Sequence, residues 1–136
     1  MKTSSDRVKI ISLLFNIGRR MRDEKSKYSM LHFQTLRYVQ EEGRPLMHGV
    51  AAFLRVTPPA ATLLIDGLAK DGLLIRSLDK KDRRTVRVSL TPRGKKFIGQ
   101  CILKKMSKLK KTFGVLTPKE RSALVALLEK VSKQNR

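Results

Sequence analysis

Two adjacent prolines, Pro58 and Pro59, constrain what this chain can fold into more tightly than any other feature. Proline has no amide hydrogen, and its ring clashes with the carbonyl four residues back. A helix therefore tolerates it only in the first turn, where amides have no helical partner. Thr57 stands just ahead, with a side-chain oxygen suited to capping. Behind the prolines, Ala61, Leu64, Ile65 and Leu68 follow at i, i+3, i+4 and i+7, so the spacing predicts a helix from Pro58 to about Asp71-Gly72. Upstream, a short segment from about His48 to Leu54 carries Val50, Ala51 and Leu54 on one helical face. Only Arg55-Val56 separates the two, which is room for a tight turn and nothing else. Two short helices joined in this way, the second strongly capped, form a helix-turn-helix.

Directly afterwards the apolar period changes from helical to alternating. Leu73 to Leu78 and Thr85 to Leu90 flank the polar run DKKDRR at Asp79–Arg84, and Val86, Val88 and Leu90 alternate with Arg87 and Ser89. Period two predicts strand, basic loop, strand. Before the helix-turn-helix, Val8, Ile11, Leu14, Phe15, Gly18 and Met21 predict a helix over about 5–22. After the polar stretch Asp23–Lys27, Ser29 caps a second helix with Phe33, Leu36 and Val39 inward, closed by Gly43. Pro45 opens a short extended piece. Thr91-Pro92 starts a long helix with Ile98, Ile102, Met106, Leu109 and Phe113 at spacings of four and three, ending at Gly114. Thr117-Pro118-Lys119-Glu120 is a capping box with proline at the first helical position, and Leu124, Val125, Leu127, Leu128 and Val131 follow. The predicted class is mainly α, with one small hairpin. The length, 136 residues, suits one domain over 1–136 with a single modest core.

Charge narrows the function. Thirty-one Lys and Arg against 11 acids give a net +20, a field that concentrates polyanions, so nucleic acid is the expected partner. The excess is uneven: Arg93–Arg136 holds 13 basic residues against Glu120 and Glu129, and so carries +11 of the total. Lys95, Lys96, Lys104, Lys105, Lys108, Lys110 and Lys111 lie on the long helix, either as a solvated face or as added non-specific DNA attraction. No apolar run approaches the ~20 residues of a membrane span, and the start MKTSSDRVK lacks the apolar stretch of a secretory signal. The expectation is a cytoplasmic protein that does not enter membranes. The single cysteine, Cys101, is expected as a buried structural thiol. His32 and His48 are too few and too scattered for a metal site, and there is no nucleophile–base pair, carboxylate pair or Gly-rich phosphate loop. Neither catalysis, a metal nor a cofactor is expected.

The order of elements and two motifs resemble the MarR family of winged-helix transcription regulators. DKKDRRTVRVSLTPRG at Asp79–Gly94 is similar to that family's wing and the start of its next helix. VTPPAATLLIDGLAKDGLL at Val56–Leu74 is similar to its recognition helix running into the first wing strand. The resemblance covers nearly the whole chain. It implies a winged helix-turn-helix lobe over 29–91, with 5–22 and 92–134 as dimerisation helices. Val8, Ile11, Phe15, Leu124, Leu128 and Val131 would then meet a second subunit, although the periodicity alone equally allows packing within one subunit. It further implies a repressor that blocks polymerase at a promoter. A small anionic aromatic ligand would bind between the dimer helices and the DNA-binding lobe, near Phe15, Arg19 and Tyr38.

On DNA, the helix starting after Thr57 would enter the major groove and present Pro59, Thr62 and Leu63, with Ala60 at the edge. A two-fold dimer would set two such helices roughly 34 Å apart on a pseudo-palindromic site. Lys80, Lys81, Arg83 and Arg84 would reach the backbone and minor groove from the hairpin tip. By resemblance Arg84 inserts there, with Asp82 orienting the tip by pairing with it. Two positions depart from the family pattern: Leu63 stands where arginine is frequent, and Arg55 where glycine is usual. Arginine makes the commonest bidentate contact to guanine, which leucine cannot. Specificity is therefore expected to be modest and to lean on A·T-rich shape, with Arg55, in the turn, providing a phosphate contact instead. Two other functions remain open: a weakly specific architectural protein that coats DNA, and a winged-helix module that binds other proteins.

Overall fold

A computed structural model describes residues 2–133. The described elements are helices α1 (Lys2–Met21), α2 (Met30–Glu42), α3 (Met47–Leu54) and α4 (Pro58–Lys70), strands β1 (Leu74–Leu78) and β2 (Val86–Leu90), and helices α5 (Pro92–Phe113) and α6 (Pro118–Lys133). Residues 1 and 134–136, at the ends of the single-domain and dimerisation-helix assignments, lie outside the described residues.

Local signals account for most of the boundaries. Thr57 is extended, and its Oγ1 accepts the Ala60 amide at 3.4 Å, while its carbonyl accepts Ala61 at 3.0 Å, so α4 begins at the two prolines. Ser29 opens α2 with help from His32, whose Nδ1 accepts the Ser29 amide at 3.0 Å. Gly43 and Gly72, at φ 83° and 76°, take left-handed turns after α2 and α4 at little cost because they lack Cβ. Thr117 and Glu120 cap α6 reciprocally: the Thr117 amide donates to Glu120 Oε1 at 2.9 Å, and the Glu120 amide to Thr117 Oγ1 at 3.2 Å. Helix α1 starts earlier than the apolar stripe indicated, at Lys2 rather than Ser5.

The core belongs to the central lobe. Leu36 and Val39 of α2, Val50 of α3, Ile65 and Leu68 of α4, Leu73, Leu74, Val88 and Ile98 form one buried cluster. Phe33, Leu54, Cys101 and Ile102 pack against it half-buried. β1 and β2 pair antiparallel with Leu74 opposite Leu90 and Leu78 opposite Val86. The chain between α2 and α3 extends this hairpin at one point: Leu46 bridges Arg87, and the Pro45 carbonyl accepts Val88 at 2.9 Å. That is the short extended piece at Pro45.

One glycine is required by a close approach. At Gly94, in the first turn of α5, an added Cβ would sit far inside van der Waals contact distance of the Leu73 carbonyl oxygen. Thr91 makes the same junction with both ends of its residue: Oγ1 donates to the Gly72 carbonyl at 2.5 Å and accepts the Gly94 amide at 2.9 Å, and its own amide donates to Leu73 at 3.1 Å. The start of α5 is thus bonded to the turn that joins α4 to β1.

By proximity the chain divides into two compact units, residues 23–103 and a second made of residues 1–22 and 104–136. The division falls inside α5. Consistent with it, the α5 stripe is buried at Ile98, half-buried at Ile102 and exposed at Met106 and Leu109. In the second unit the apolar residues of α1 and α6 are largely exposed: Val8, Ile11, Leu14 and Phe15 in α1, and Val125, Leu127, Leu128 and Val131 in α6. No residue of α6 is buried. There the Lys108 ammonium donates to the Arg22 carbonyl at 2.7 Å, just past the end of α1.

Candidate nucleic-acid interface

Two surfaces of the central lobe carry the residues singled out for DNA. The first is the outward side of the early turns of α4. With Ala61, Ile65 and Leu68 buried and Leu64 half-buried, Pro59, Thr62 and Leu63 are exposed and Ala60 lies at the edge. Leu63 is 74% exposed. The surface offers few hydrogen-bond donors. Pro58 and Pro59 have no amide hydrogen, the Ala60 and Ala61 amides are bonded to Thr57, and Thr62 Oγ1 donates to the Pro58 carbonyl at 3.0 Å.

The turn before α4 is closed by Arg55 in the left-handed region, φ 57° and ψ 42°. Its amide donates to Ala52 at 3.2 Å, and the Val56 amide to Ala51 at 3.1 Å. These two bonds are the Schellman pattern that ends many helices, with the left-handed position usually given to glycine. Here an exposed arginine occupies it.

The second surface is the β1–β2 loop. Asp79 and Asp82 bond to the loop's own main chain: Asp79 Oδ1 accepts the Lys81 amide at 3.4 Å, and Asp82 Oδ1 accepts the Arg84 amide at 3.0 Å. The Asp82 carbonyl takes the Thr85 amide at 3.0 Å and its hydroxyl at 2.8 Å, and the Asp79 amide reaches the Thr85 carbonyl at 3.0 Å. The Lys81 amide, and after it the Arg87 guanidinium at 3.5 Å, hold the Asp79 carboxyl below its usual range against partial burial. Lys80, Lys81, Arg83 and Arg84 are all exposed. The resemblance implied that Asp82 pairs with the Arg84 side chain; the bond formed is to the Arg84 main chain, which fixes the tip rather than the guanidinium.

Several residues that the sequence did not single out hold these surfaces in place. Arg76 of β1 pairs with Asp66 of α4, linking hairpin to helix. Arg87 Nη1 donates to the Arg44 carbonyl at 2.7 Å, and Arg44 Nη2 donates to Ser77 Oγ at 3.0 Å. At the far end of α4, Asp71 Oδ2 accepts the Tyr28 hydroxyl at 2.7 Å and meets Lys27 at 3.1 Å. The Tyr28 hydroxyl, then Lys27, hold the Asp71 carboxyl low, while partial burial pushes the Tyr28 phenol up. Tyr28 also meets the rings of Phe97 and His32 edge-on, at 5.0 and 5.5 Å. Burial pushes the His32 imidazole down, with Asp71 opposing. Arg87 had a signal in the sequence, a base alternating with apolar strand residues. Tyr28 and Asp71 had none, since 43 residues separate them.

The remaining candidates are spread over both units. In the second unit Phe15 is 71% exposed and Arg19 donates to Asn16. In the central lobe Tyr38 is half-buried and stacked on Phe53, with centroids 4.4 Å apart. Cys101 is half-buried rather than fully enclosed, because it lies at the edge of the lobe core. Among the described residues no group of three or more His, Cys, Asp or Glu is arranged to hold a metal ion. No single described helix is long and apolar enough to cross a membrane.

A helix-turn-helix followed by a basic hairpin, between long flanking helices, defines a winged helix-turn-helix protein that binds DNA and regulates transcription. Residues 28–86 match the MarR family. The uncharacterized HTH-type transcriptional regulator YkoM of Bacillus subtilis is 27% identical over 111 residues, covering 81% of this chain and 72% of YkoM. Among solved structures, Bordetella bronchiseptica BpsR, whose DNA binding is regulated by 6-hydroxynicotinic acid, is 29% identical with a TM-score of 0.73, covering 89% of this chain and 91% of BpsR. A mutant MarR from E. coli complexed with operator DNA shares the fold, with a TM-score of 0.76 and 22% identity over 93% of this chain and 95% of that one. Over residues 28–86 the chain carries a MarR-family domain, and its relatives and structural neighbours are transcriptional regulators, which are not enzymes.

Proposed function

We propose that this protein acts in the cytoplasm as a homodimer that binds double-stranded DNA and represses transcription, and that a small anionic aromatic molecule releases it. The observation that carries the reading is the division of labour in the wing. Its two acids bond the loop's main chain, Asp79 also meeting Arg87 of β2, and its four bases are left exposed at the tip. Lys80, Lys81, Arg83 and Arg84 contact the backbone and minor groove, Arg84 inserts, and Asp82 fixes the tip. Pro59, Ala60, Thr62 and Leu63 face the major groove, with Thr57 and Arg55 at its margin. That an E. coli MarR of the same fold is complexed with operator DNA supports DNA as the partner.

Self-association through α1 and α6, by Val8, Ile11, Phe15, Leu124, Leu128 and Val131, is supported by the exposure of all but the half-buried Leu124 in the single chain. Exposed apolar area of that extent marks an interaction surface. The proposed lobe is 29–91 and the proposed dimerisation helices are 5–22 and 92–134. BpsR supports ligand control, and Phe15, Arg19 and Tyr38 are the proposed ligand contacts. Such a ligand acts by binding the DNA-incompetent form better, and shifts the population by that affinity difference alone.

A second reading, weakly specific coating of DNA, is favoured by the donor-poor face of α4 together with the net charge of +20. Fluorescence anisotropy separates the two, using the duplex upstream of this protein's own gene and a scrambled duplex across a salt series. A preference of about a thousandfold or more that survives physiological salt supports the regulator. Near-equal affinities falling together with salt, combined with a selection from random duplexes that returns no site, support coating.

A further inference from the structure

The early turns of α4 have an unusual chemical inventory for a helix that reads a major groove. Donors are missing for reasons the structure makes explicit. Two positions are proline, two amides are bonded to Thr57, and the Thr62 hydroxyl proton is committed to the Pro58 carbonyl. The Thr57 hydroxyl, which accepts the Ala60 amide, keeps the one proton still available, and it sits ahead of the first helical residue. What remains outward is apolar: the Pro59 ring, Leu63 one turn on at 74% exposure, and Ala60 between them. Further along the same side Asp66 is paired with Arg76, and Gly67 has no side chain.

The groove's own chemistry selects the match. Guanine presents two acceptors there and adenine an acceptor beside its amino group. Thymine alone presents a methyl. A donorless apolar surface pressed on guanine would leave both acceptors without partners, which costs free energy. Pressed on thymine it covers the methyl and gains contact. We infer that the Pro59–Leu63 surface of α4 reads sequence by packing on thymine 5-methyl groups, so that Leu63 is this protein's specificity-determining residue. The inference rests on the proposed docking of α4 in the major groove. It goes further in naming the chemical group that is read.

The test is a duplex obtained by selection from a random library, prepared once with thymine and once with deoxyuridine throughout, and titrated with the parent protein and with Leu63→Ala. Removing one contacted methyl lowers affinity about fourfold, equivalent to ~0.8 kcal/mol, and two symmetric half-sites give about 15-fold. The parent should show that loss. Leu63→Ala should bind the thymine duplex more weakly and distinguish the two duplexes less, with unchanged thermal unfolding because Leu63 is outside the core. Equal parent affinity for both duplexes overturns the inference. So does an identical thymine/deoxyuridine ratio in parent and variant, because the effect of the methyl would then be on duplex shape. A selection that returns no preferred duplex overturns specific regulation itself, and this inference with it. A preferred duplex indifferent to deoxyuridine overturns the methyl contact alone.

Discussion

Replacing Arg55 with glycine should stabilise the fold and weaken DNA binding in the same protein. Arg55 holds φ 57° and ψ 42° at the end of α3. In that region an L-residue's Cβ crowds the following carbonyl, at a cost of roughly 1–2 kcal/mol. Glycine avoids the crowding but has more freedom in the unfolded chain, which offsets about 0.5–1 kcal/mol. The net expectation is a gain of about 0.5–1 kcal/mol, measured by urea unfolding of parent and variant at equal protein concentration, since association would shift both. Arg55→Asn should recover part of the gain, because asparagine tolerates the left-handed region. Binding supplies the second readout. If each Arg55 neutralises one phosphate, a symmetric dimer loses two contacts, and the slope of log K against log salt falls by about 1.8. A variant less stable than the parent would refute the stored backbone cost. An unchanged salt slope would refute the phosphate contact without touching the stability argument.

Other substitutions probe the rest of the lobe. Gly94→Ala should destabilise by roughly 2 kcal/mol or more in urea, because its Cβ meets the Leu73 carbonyl and main chain must shift. A change within experimental error would mean that the α5 junction relaxes freely. Arg84→Ala should weaken DNA binding at least tenfold in anisotropy titrations and leave thermal unfolding unchanged, because the tip is held by Asp82 and Thr85. Acid unfolding tests the Tyr28–Asp71–Lys27 group. Asp71 is held below its ordinary value of 3.8 in the folded protein, so its contribution is fully present above that value and is lost as pH falls through the lower folded value. Tyr28→Phe removes the largest cause of the lowering. The variant should therefore be less stable than the parent above pH 4 and converge with it in stronger acid; parallel curves would exclude the linkage. Phe15→Glu with Leu128→Glu should yield monomer in analytical ultracentrifugation, and an unchanged sedimentation coefficient would place self-association elsewhere.

Features set by nearby residues were legible in the sequence. The Pro58-Pro59 start of α4, the Thr117–Glu120 capping box and the alternation of Val86, Val88 and Leu90 each depend on atoms a few residues apart, and the observed elements begin and end there. The candidate bases of the wing were legible for the same reason, as a run of charge between two strands. What holds the wing was not. Arg87 finds the Arg44 carbonyl 43 residues away, and Arg76 finds Asp66 only because β1 packs beside α4. The tight turn at Arg55-Val56 was legible from its length, but the left-handed conformation at Arg55 was signalled only by the resemblance, which has glycine there, because arginine itself carries none of glycine's signal. Periodicity located the stripes of α1, α5 and α6 yet could not say what covers them. Met106 and Leu109 continue the phase of Ile98 and Ile102 but lie beyond the lobe core, and are exposed.

The wing separates its shape from its charge. Asp79, Asp82 and Thr85 carry the bonds that close the loop, Lys81 and Arg84 enter that closure through their amides, and the side chains of Lys80, Lys81, Arg83 and Arg84 are exposed. Exposed side chains of this kind can usually be exchanged within about 0.5 kcal/mol. Over generations the tip can therefore gain or lose positive charge one residue at a time, retuning its proposed hold on DNA, while the fold that presents it is inherited intact.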